Sequence, residues 1–321
     1  MYLFLAFIAL LTERVVGYPA WVYRLIGHPV TWIGGLISAL DKRWNREGQP
    51  AGRRRWAGIA ALAVIIAVVA FLSVILESLL LAFPFGFFVL VLVAASLPAQ
   101  KSLEQHVEAV ASALETGGLS AARTAVSMIV GRDPDNLDEP AVCRAAIESL
   151  AENFSDGIVA PAFWLGLCGL AGGAAYKAIN TADSMIGHRS PRHEAFGWAS
   201  ARLDDLVNLP ASRLSGLLFI AAACLVPGAS PRCAVAAVMR DAGHHRSPNA
   251  GWPEAAMGGA LGIALAGPRS YGGRMVEARF MGEGGRKNLD ASDIRRALRL
   301  ARVADALLIG AFGLAALVLT P

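Results

Sequence analysis

Charge is what this sequence has least of. Only 17% of its 321 residues are Asp, Glu, Lys or Arg, against 55% apolar ones, and the mean hydropathy is +0.49. That balance argues against ordinary soluble domains and for a multi-pass membrane protein. Cysteine is sparse as well. Cys143, Cys168, Cys224 and Cys233 show no metal-ligand spacing and two lie in apolar runs, which predicts small buried hydrophobes rather than a disulfide set. No G-x-x-x-x-G-K-[ST] string occurs, so a P-loop is excluded. Residues 1–11 are apolar but lack a basic leader and a small-residue cleavage site, which predicts a retained helix. The formal charge of +4 comes from Arg and Lys set beside hydrophobic segments. That is the positive-inside pattern rather than a nucleic-acid signature.

What is present, taken in order, reads as an all-α, polytopic integral membrane protein with amphipathic helices and polar, motif-bearing loops, forming a single domain over 1–321. Pro29 pushes His28 out of the helical region, so its imidazole sits at a fixed turn before a helix. A basic loop at 41–56 adjoins an apolar run at 57–76 long enough to span, which predicts that the loop faces the cytoplasm. A second run, 79–97, completes a hairpin of helices with Pro84 and Gly86 at its turn. Residues 99–157 read as an amphipathic helical segment: Leu103, Val107, Val110 and Leu114 recur at helical spacing before a stop at Gly117-Gly118. A turn cluster follows at 132–136. Asp138 or Glu139 then caps a helix with Pro140 in its first turn. Glu148 and Glu152, four residues apart with Asp156 nearby, could hold a divalent cation together with phosphate oxygens, or Glu148 could simply pair with Arg144.

The densest polar stretch is 176–213, where three Asp, two His, two Asn and five basic residues fall between apolar runs. Ionisable groups in that setting are functional candidates by default. Asn180 and Asp183 share a turn, a basic loop carries His188, Arg189, Arg192 and His193, and a helix presents Asp204 and Asn208 on one face and Arg202 with Asp205 on another. Arg in such a loop suits phosphate or carboxylate. A second polar segment, 240–287, contains His244, Arg246, Ser247 and Asn249, and the last apolar helix is capped at Asp290 or Ser292. The charge rule sets a difficulty here. If 158–175 and 206–226 both cross fully, the central segment and Ser247 fall on opposite sides. A re-entrant or broken helix over the glycine-rich 158–175 removes the conflict.

Several strings in order resemble the cobinamide synthase family of cobalamin biosynthesis, the CobD/CbiB type of adenosylcobinamide-phosphate synthase. They are His28-Pro29-Val30 with Trp32-Ile33-Gly34; Glu152-Asn153-Phe154-Ser155-Asp156-Gly157 running to Ala160-Pro161; and Lys177-Ala178-Ile179-Asn180-Thr181-Ala182-Asp183-Ser184-Met185-Ile186-Gly187. Arg202-Leu203-Asp204-Asp205 with Asn208, Pro210 and Arg213, then Ser247-Pro248-Asn249-Ala250-Gly251 and Tyr271-Gly272-Gly273, complete the set. The resemblance covers nearly the whole chain. It departs near the N-terminus, where the family often carries two Asp and this chain has Glu13 and Tyr18.

The resemblance implies a multi-pass enzyme of the inner membrane, a carbon–nitrogen ligase that uses ATP and Mg²⁺ to join a propionate of adenosylcobyric acid to an aminopropanol or its phosphate. Its partners would be those corrinoid and amine substrates, the lipid bilayer and other late cobalamin-biosynthesis enzymes, with no nucleic acid. A carboxylate must be activated before an amine can attack it, and the amine must lose a proton to a base. The implied roles are catalysis for His188, Asp183, Asp204, Asp205 and Asn249, with His244 a second candidate base. Metal binding falls to Glu148, Glu152, Asp156, Asp183 and Asp204. Substrate binding falls to His28, Asn153, Lys177, Asn180, Arg189, Arg192, Arg202, Asn208, Arg213, Arg246 and Ser247. Two rival readings are a non-enzymatic AmpE-like sensor or permease on the same scaffold and a membrane transferase acting on a phosphorylated lipid.

Overall fold

A computed structural model describes every residue except 131–133, 268, 272–273, 277 and 320–321. Arg132 and Asp133 of the expected turn cluster, and Gly272-Gly273, therefore lie outside the described residues. Helices run Tyr2–Val16 (α1), Ala20–Ile26 (α2), Pro29–Trp44 (α3), Ala51–Leu81 (α4), Gly86–Ala94 (α5), Gln100–Ser127 (α6) and Glu139–Phe154 (α7). They continue with Ala160–Ala182 (α8), Trp198–Val207 (α9), Leu209–Ala223 (α10), Pro231–Asp241 (α11), Gly251–Leu261 (α12) and Ala291–Leu319 (α13). Among the described residues strand is confined to Leu265–Ala266 (β1) paired antiparallel with Phe280–Met281 (β4), and Arg269–Tyr271 (β2) with Arg274–Val276 (β3). The protein is all-α. Three stretches, Ala51–Leu81, Glu139–Gly187 and Ala291–Leu319, are long and apolar enough to cross a membrane, or up to five if each bent helix pair counts as one span.

The chain, read as one domain from its sequence, packs as two compact units. The first is Met1–Ala99, Ala160–Asn208 and Phe312–Pro321; the second is Gln100–Val159 and Leu209–Ala311.

In the first unit, one apolar cluster joins Leu5 and Ala9 of α1 to Leu90 and Ala94 of α5 and to Leu165 and Leu170 of α8. Another joins Ile37 of α3, Ile65 of α4 and Ala178 and Ala182 of α8 to Phe196. The expected hairpin is present, although α5 has only nine residues, about 14 Å of helix and too short to cross alone. α8 is broken, as the glycine content of 158–175 suggests. Cys168 and Gly169 leave helical geometry, Gly169 with a φ of +66°. A Cβ there would lie 2.7 Å from the Tyr2 ring and 3.0 Å from Glu77 Oε2. Just past the break the Leu170 amide donates to Glu77 Oε2 at 2.9 Å. A buried acid of a spanning helix thus serves a backbone group that lipid could not.

In the second unit, the Asp138 carboxylate caps α7 by accepting from the Ala141 amide at 2.9 Å. α6 kinks where the stop was expected, at Gly118 with a φ of +68°. α13 begins behind Asp290, whose carboxylate accepts from the Ser292 amide at 2.8 Å, while Asp293 accepts from the Asp290 amide at 3.1 Å. A ladder of ion pairs binds the start of α13 to α6. Arg295 forks onto Glu115 (2.6 Å) and also reaches Glu108, and Arg302 reaches Glu104 at 2.7 Å. All four cysteines are free, but only Cys143 is buried. Cys168, Cys224 and Cys233 sit on the outer surface, which corrects the expectation of buried packing: in a membrane protein an apolar side chain can face lipid as well as a core.

Candidate functional site

In the first unit the chain brings together the C-terminal half of α8, the π-helical turn Asp183–Gly187 that follows it, α9, and the turn ahead of α3. A π turn inserts one residue into a helix, widens it and is frequent at functional sites. Here it swings the Asp183 carboxylate across the turn toward residue 187, where any Cβ would collide with it. A side chain at 187 would push the Asp183 carboxylate out of this position. Asp204 is buried, and its Oδ1 accepts from Asn180 Nδ2 at 3.3 Å. Asn208, one turn further along, is fully buried; its amide donates to the Asp204 carbonyl at 3.1 Å, and its Oδ1 accepts from the Tyr176 hydroxyl at 2.8 Å. α8 and α9 are thereby fixed against each other at the level of the acids.

The electrostatics of this cluster are unusual. Asp183 and Asp204 lie close enough to repel each other, and Asp205 adds to both. Among the described residues no Arg or Lys forms an ion pair with Asp183 or Asp204, whereas Asp205 faces Arg202 at 3.8 Å. His188 lies near enough to Asp183 to bear on its carboxylate. His28 caps α3 with the geometry expected of a residue before proline: its Nδ1 accepts from the Val30 amide at 3.2 Å, and Thr31 Oγ1 returns a bond to its carbonyl at 2.7 Å. Lys177 is near enough for its charge to bear on that ring. Tyr18, where the family pattern departs, packs edge-on to His28 with centroids 4.4 Å apart and donates to the Gly27 carbonyl at 2.7 Å. It holds the histidine turn in place.

The loop from 188 to 197 is anchored by residues that sequence reasoning missed. Asp41 of α3 accepts from Arg192 at 2.8 and 3.2 Å and from Asn45 at 2.7 Å, and Arg192 also reaches Glu47 at 3.0 Å. Arg54 donates to Asn45 at 2.8 Å and to the carbonyl of Arg192. Arg192, expected to bind substrate, has its fork taken up by this network. The exposed Arg189 has no such anchor among the bonds described.

The second unit holds the remaining candidates. Asn249 is buried, and its Oδ1 accepts from Ser212 Oγ at 3.1 Å and from Arg213 Nη1 at 3.0 Å. Arg213 also lies 4.8 Å over the Trp252 ring, a cation–π contact. Ser247 Oγ accepts from the Asn249 and Ala250 amides at 3.2 Å each, and Ser247 N donates to His245 Nδ1 at 3.0 Å. The string Ser247–Gly251 is therefore a knot of side-chain bonds that leads into α12, with Arg246 exposed at its edge. His244 receives Arg279 Nη1 at 3.1 Å.

Glu148 resolves neither as a cation ligand nor as the partner of Arg144. Its Oε1 accepts from the Ala266 amide at 2.6 Å in a buried setting, and Arg144 donates to the Lys287 carbonyl at 3.2 Å. Asn153 donates to Ser149 O at 2.9 Å within its own helix, beside the exposed Glu152. Asp156 lies in the second π turn, Ser155–Val159. Among the described residues no group of three or more His, Cys, Asp or Glu is arranged to hold a metal ion. Asp183 and Asp204 form a pair of acids instead.

The helices define an all-α, polytopic membrane protein with three to five candidate spans. The chain is a member of the CobD/CbiB family: the family described as CobD/Cbib protein matches residues 6–301. It is 53% identical to a cobalamin biosynthesis protein CobD of Sinorhizobium sp over 89% of this chain and 90% of that protein. It is 50% identical to the protein of the same name from Rhizobium meliloti (strain 1021), over 97% and 95%. The corresponding Rhodobacter capsulatus protein is 48% identical over 96% of each. No solved structure matches the chain.

Proposed function

We propose that this protein is an adenosylcobinamide-phosphate synthase of cobalamin biosynthesis, a ligase of the inner cell membrane that condenses a propionate of adenosylcobyric acid with an aminopropanol or its phosphate. Family membership over nearly the full length supports a role in cobalamin biosynthesis. The observation that carries the finer reading is the Asp183–Asp204 pair, in which Asp204 is held by Asn180 and neither acid has a basic side chain in an ion pair among the described residues. Two like charges held together in a buried place are costly unless a cation joins them. Mg²⁺ suits such a site, since it takes one or two carboxylates and fills its remaining positions with water and phosphate oxygens. ATP would supply the group that makes the carboxylate reactive, and Mg²⁺ would offset the phosphate charge.

This chain's own residues have three tasks. Asp183 and Asp204 hold the cation, with the Asn180 amide fixing one oxygen of Asp204. Lys177 on α8 and the exposed Arg189 offer positive charge to anionic substrate groups. His188 takes the surplus proton of the attacking amine as the C–N bond forms and the activated oxygen leaves. The test is amide formation by the purified protein in detergent. ATP should be consumed only when both a corrinoid acid and an aminopropanol-type amine are present, and Asp183→Asn should raise the Mg²⁺ needed for half-maximal rate. ATP-independent amide formation, or coincident Mg²⁺ curves for the variant and wild type, would count against the reading.

A further inference from the structure

Behind His188 stands a second histidine, and behind that an acid. His188 Nε2 lies 3.2 Å from His193 Nδ1, the two rings meeting edge to face with centroids 4.8 Å apart. On the far side of the His193 ring, Nε2 is buried and has no hydrogen-bond partner closer than Asp41, whose Oδ1 lies 3.6 Å away. We propose that His193, backed by Asp41, is a positioning residue that fixes which nitrogen of His188 carries the proton and so which one is presented to substrate. The proposal rests on the reading of His188 as the base.

The argument runs from Asp41 outward. Its carboxylate is held by Asn45 on Oδ1 and by Arg192 on Oδ2, so it stays an anion and faces His193 Nε2 with negative charge. That favours the proton on His193 Nε2, and Nδ1 of the same ring must then be an acceptor. Burial holds His193 below the usual imidazole value, with Asp41 opposing and His188 and Arg192 adding to the depression. A neutral ring can donate at one nitrogen and accept at the other. Two groups reach that acceptor, His188 Nε2 at 3.2 Å and the Ser190 hydroxyl at 3.4 Å; the nearer, His188 Nε2, donates to it, which leaves the lone pair on His188 Nδ1. When that nitrogen takes a proton from the amine, the new positive charge is met by the His193 lone pair and, beyond it, by Asp41. No proton passes through His193. The logic is that of a carboxylate orienting a catalytic imidazole, with one ring interposed. Ser190 supports the geometry, its Oγ accepting from the His193 amide at 3.1 Å.

The tautomer can be read directly by two-bond ¹H–¹⁵N correlation on the full-length protein in detergent, labelled with ¹⁵N-histidine and assigned with His188→Gln and His193→Gln. His188 should carry its proton on Nε2 in the wild type. In His193→Leu that preference should be lost and kcat for amide formation should fall about tenfold, with KM for ATP and for the corrinoid within twofold. His193→Asn, whose side-chain oxygen replaces the Nδ1 acceptor, should restore both the tautomer and most of kcat. A wild-type His188 protonated on Nδ1, or a His193→Leu variant whose tautomer and kcat match wild type, overturns the positioning role. Failure of the base assignment looks different: His188→Gln would keep wild-type kcat while the wild-type tautomer signal still showed Nε2–H. That result would remove the catalytic consequence and leave only a hydrogen bond.

Discussion

Most of the buried acids described above, Asp41 and Glu77 of the first unit among them, are matched by donors, and one pair of acids is not. In the second unit three have their own donors. Asp241 accepts from the Gly282 and Glu283 amides and from Arg240, Asp293 pairs with Arg286 and Arg296, and Glu148 takes the Ala266 amide. In the first unit Asp183 and Asp204 lie close enough to repel each other, and the Asn180 amide bonds Asp204 alone of the two. The difference separates two uses of a buried charge. Matched by fixed donors, it ties loops to helices. Set beside its own kind, it is the sort of group that makes a candidate site, and the proposed cation would relieve the repulsion.

Substitutions at the paired acids should therefore affect activity, and those at the donor-matched acids stability. The largest effect is expected from Asp204→Asn, which should lower amide formation on the order of 100-fold while leaving the thermal midpoint unchanged or slightly raised, because it relieves repulsion. A large loss of stability with unchanged turnover per folded molecule would erase the contrast. Asp241→Asn should do the reverse. Removing the charge that three donors share should cost about 3 kcal/mol, read as an earlier unfolding transition in detergent, with Mg²⁺ dependence unaltered. Glu148→Ala should cost about 2 kcal/mol by orphaning the Ala266 amide, and if it shifts the Mg²⁺ curve instead, Glu148 belongs with Asp183 and Asp204.

The pH dependence sharpens the same contrast. Burial works to raise the Asp241 carboxyl, but Arg240 and the two amides together hold it below its ordinary value. Its contribution is then fully present above about pH 5 and is lost as pH falls through the lowered folded value, below the usual 3.9 or so. Acid unfolding of the wild type should show this loss and Asp241→Asn should not, as a pH series of unfolding midpoints would record. The smallest effect is expected from Asn249→Ala. It breaks the bonds to Ser212 and Arg213 and should reduce turnover severalfold with little change in membrane insertion.

Much of the helical plan was legible because its signals are local. Asp138 before Pro140, Gly118 at the end of a periodic run, and His28 before Pro29 each act on the backbone beside them. The break in α8 could be anticipated from its glycines, though not its exact site. What the sequence concealed was pairing across distance. Nothing near Asp41 marks it as the partner of a histidine 152 positions later, and nothing in the spacing of Glu148 and Glu152 reveals that one of them faces inward onto a loop 118 residues away. Arg192 misled for the same reason: an arginine in a polar loop suits an anionic ligand, and here the anion belongs to the protein. Glu77 stood out in its apolar run, but only the fold supplies the broken helix it serves.

The ladder between α6 and α13 bears on how the chain enters the bilayer. Lys and Arg beside a span decide which end stays in the cytoplasm, and α13 brings Arg295 and Arg302 to that decision last of all. By then the ribosome has already released Glu104, Glu108 and Glu115 on α6, the residues those arginines meet in the folded protein. Two influences thus bear on α13, the charge asymmetry of the membrane and the acids of α6 made before it. Changing those three glutamates to lysine would set the two instructions against each other, with α13 free to obey only one.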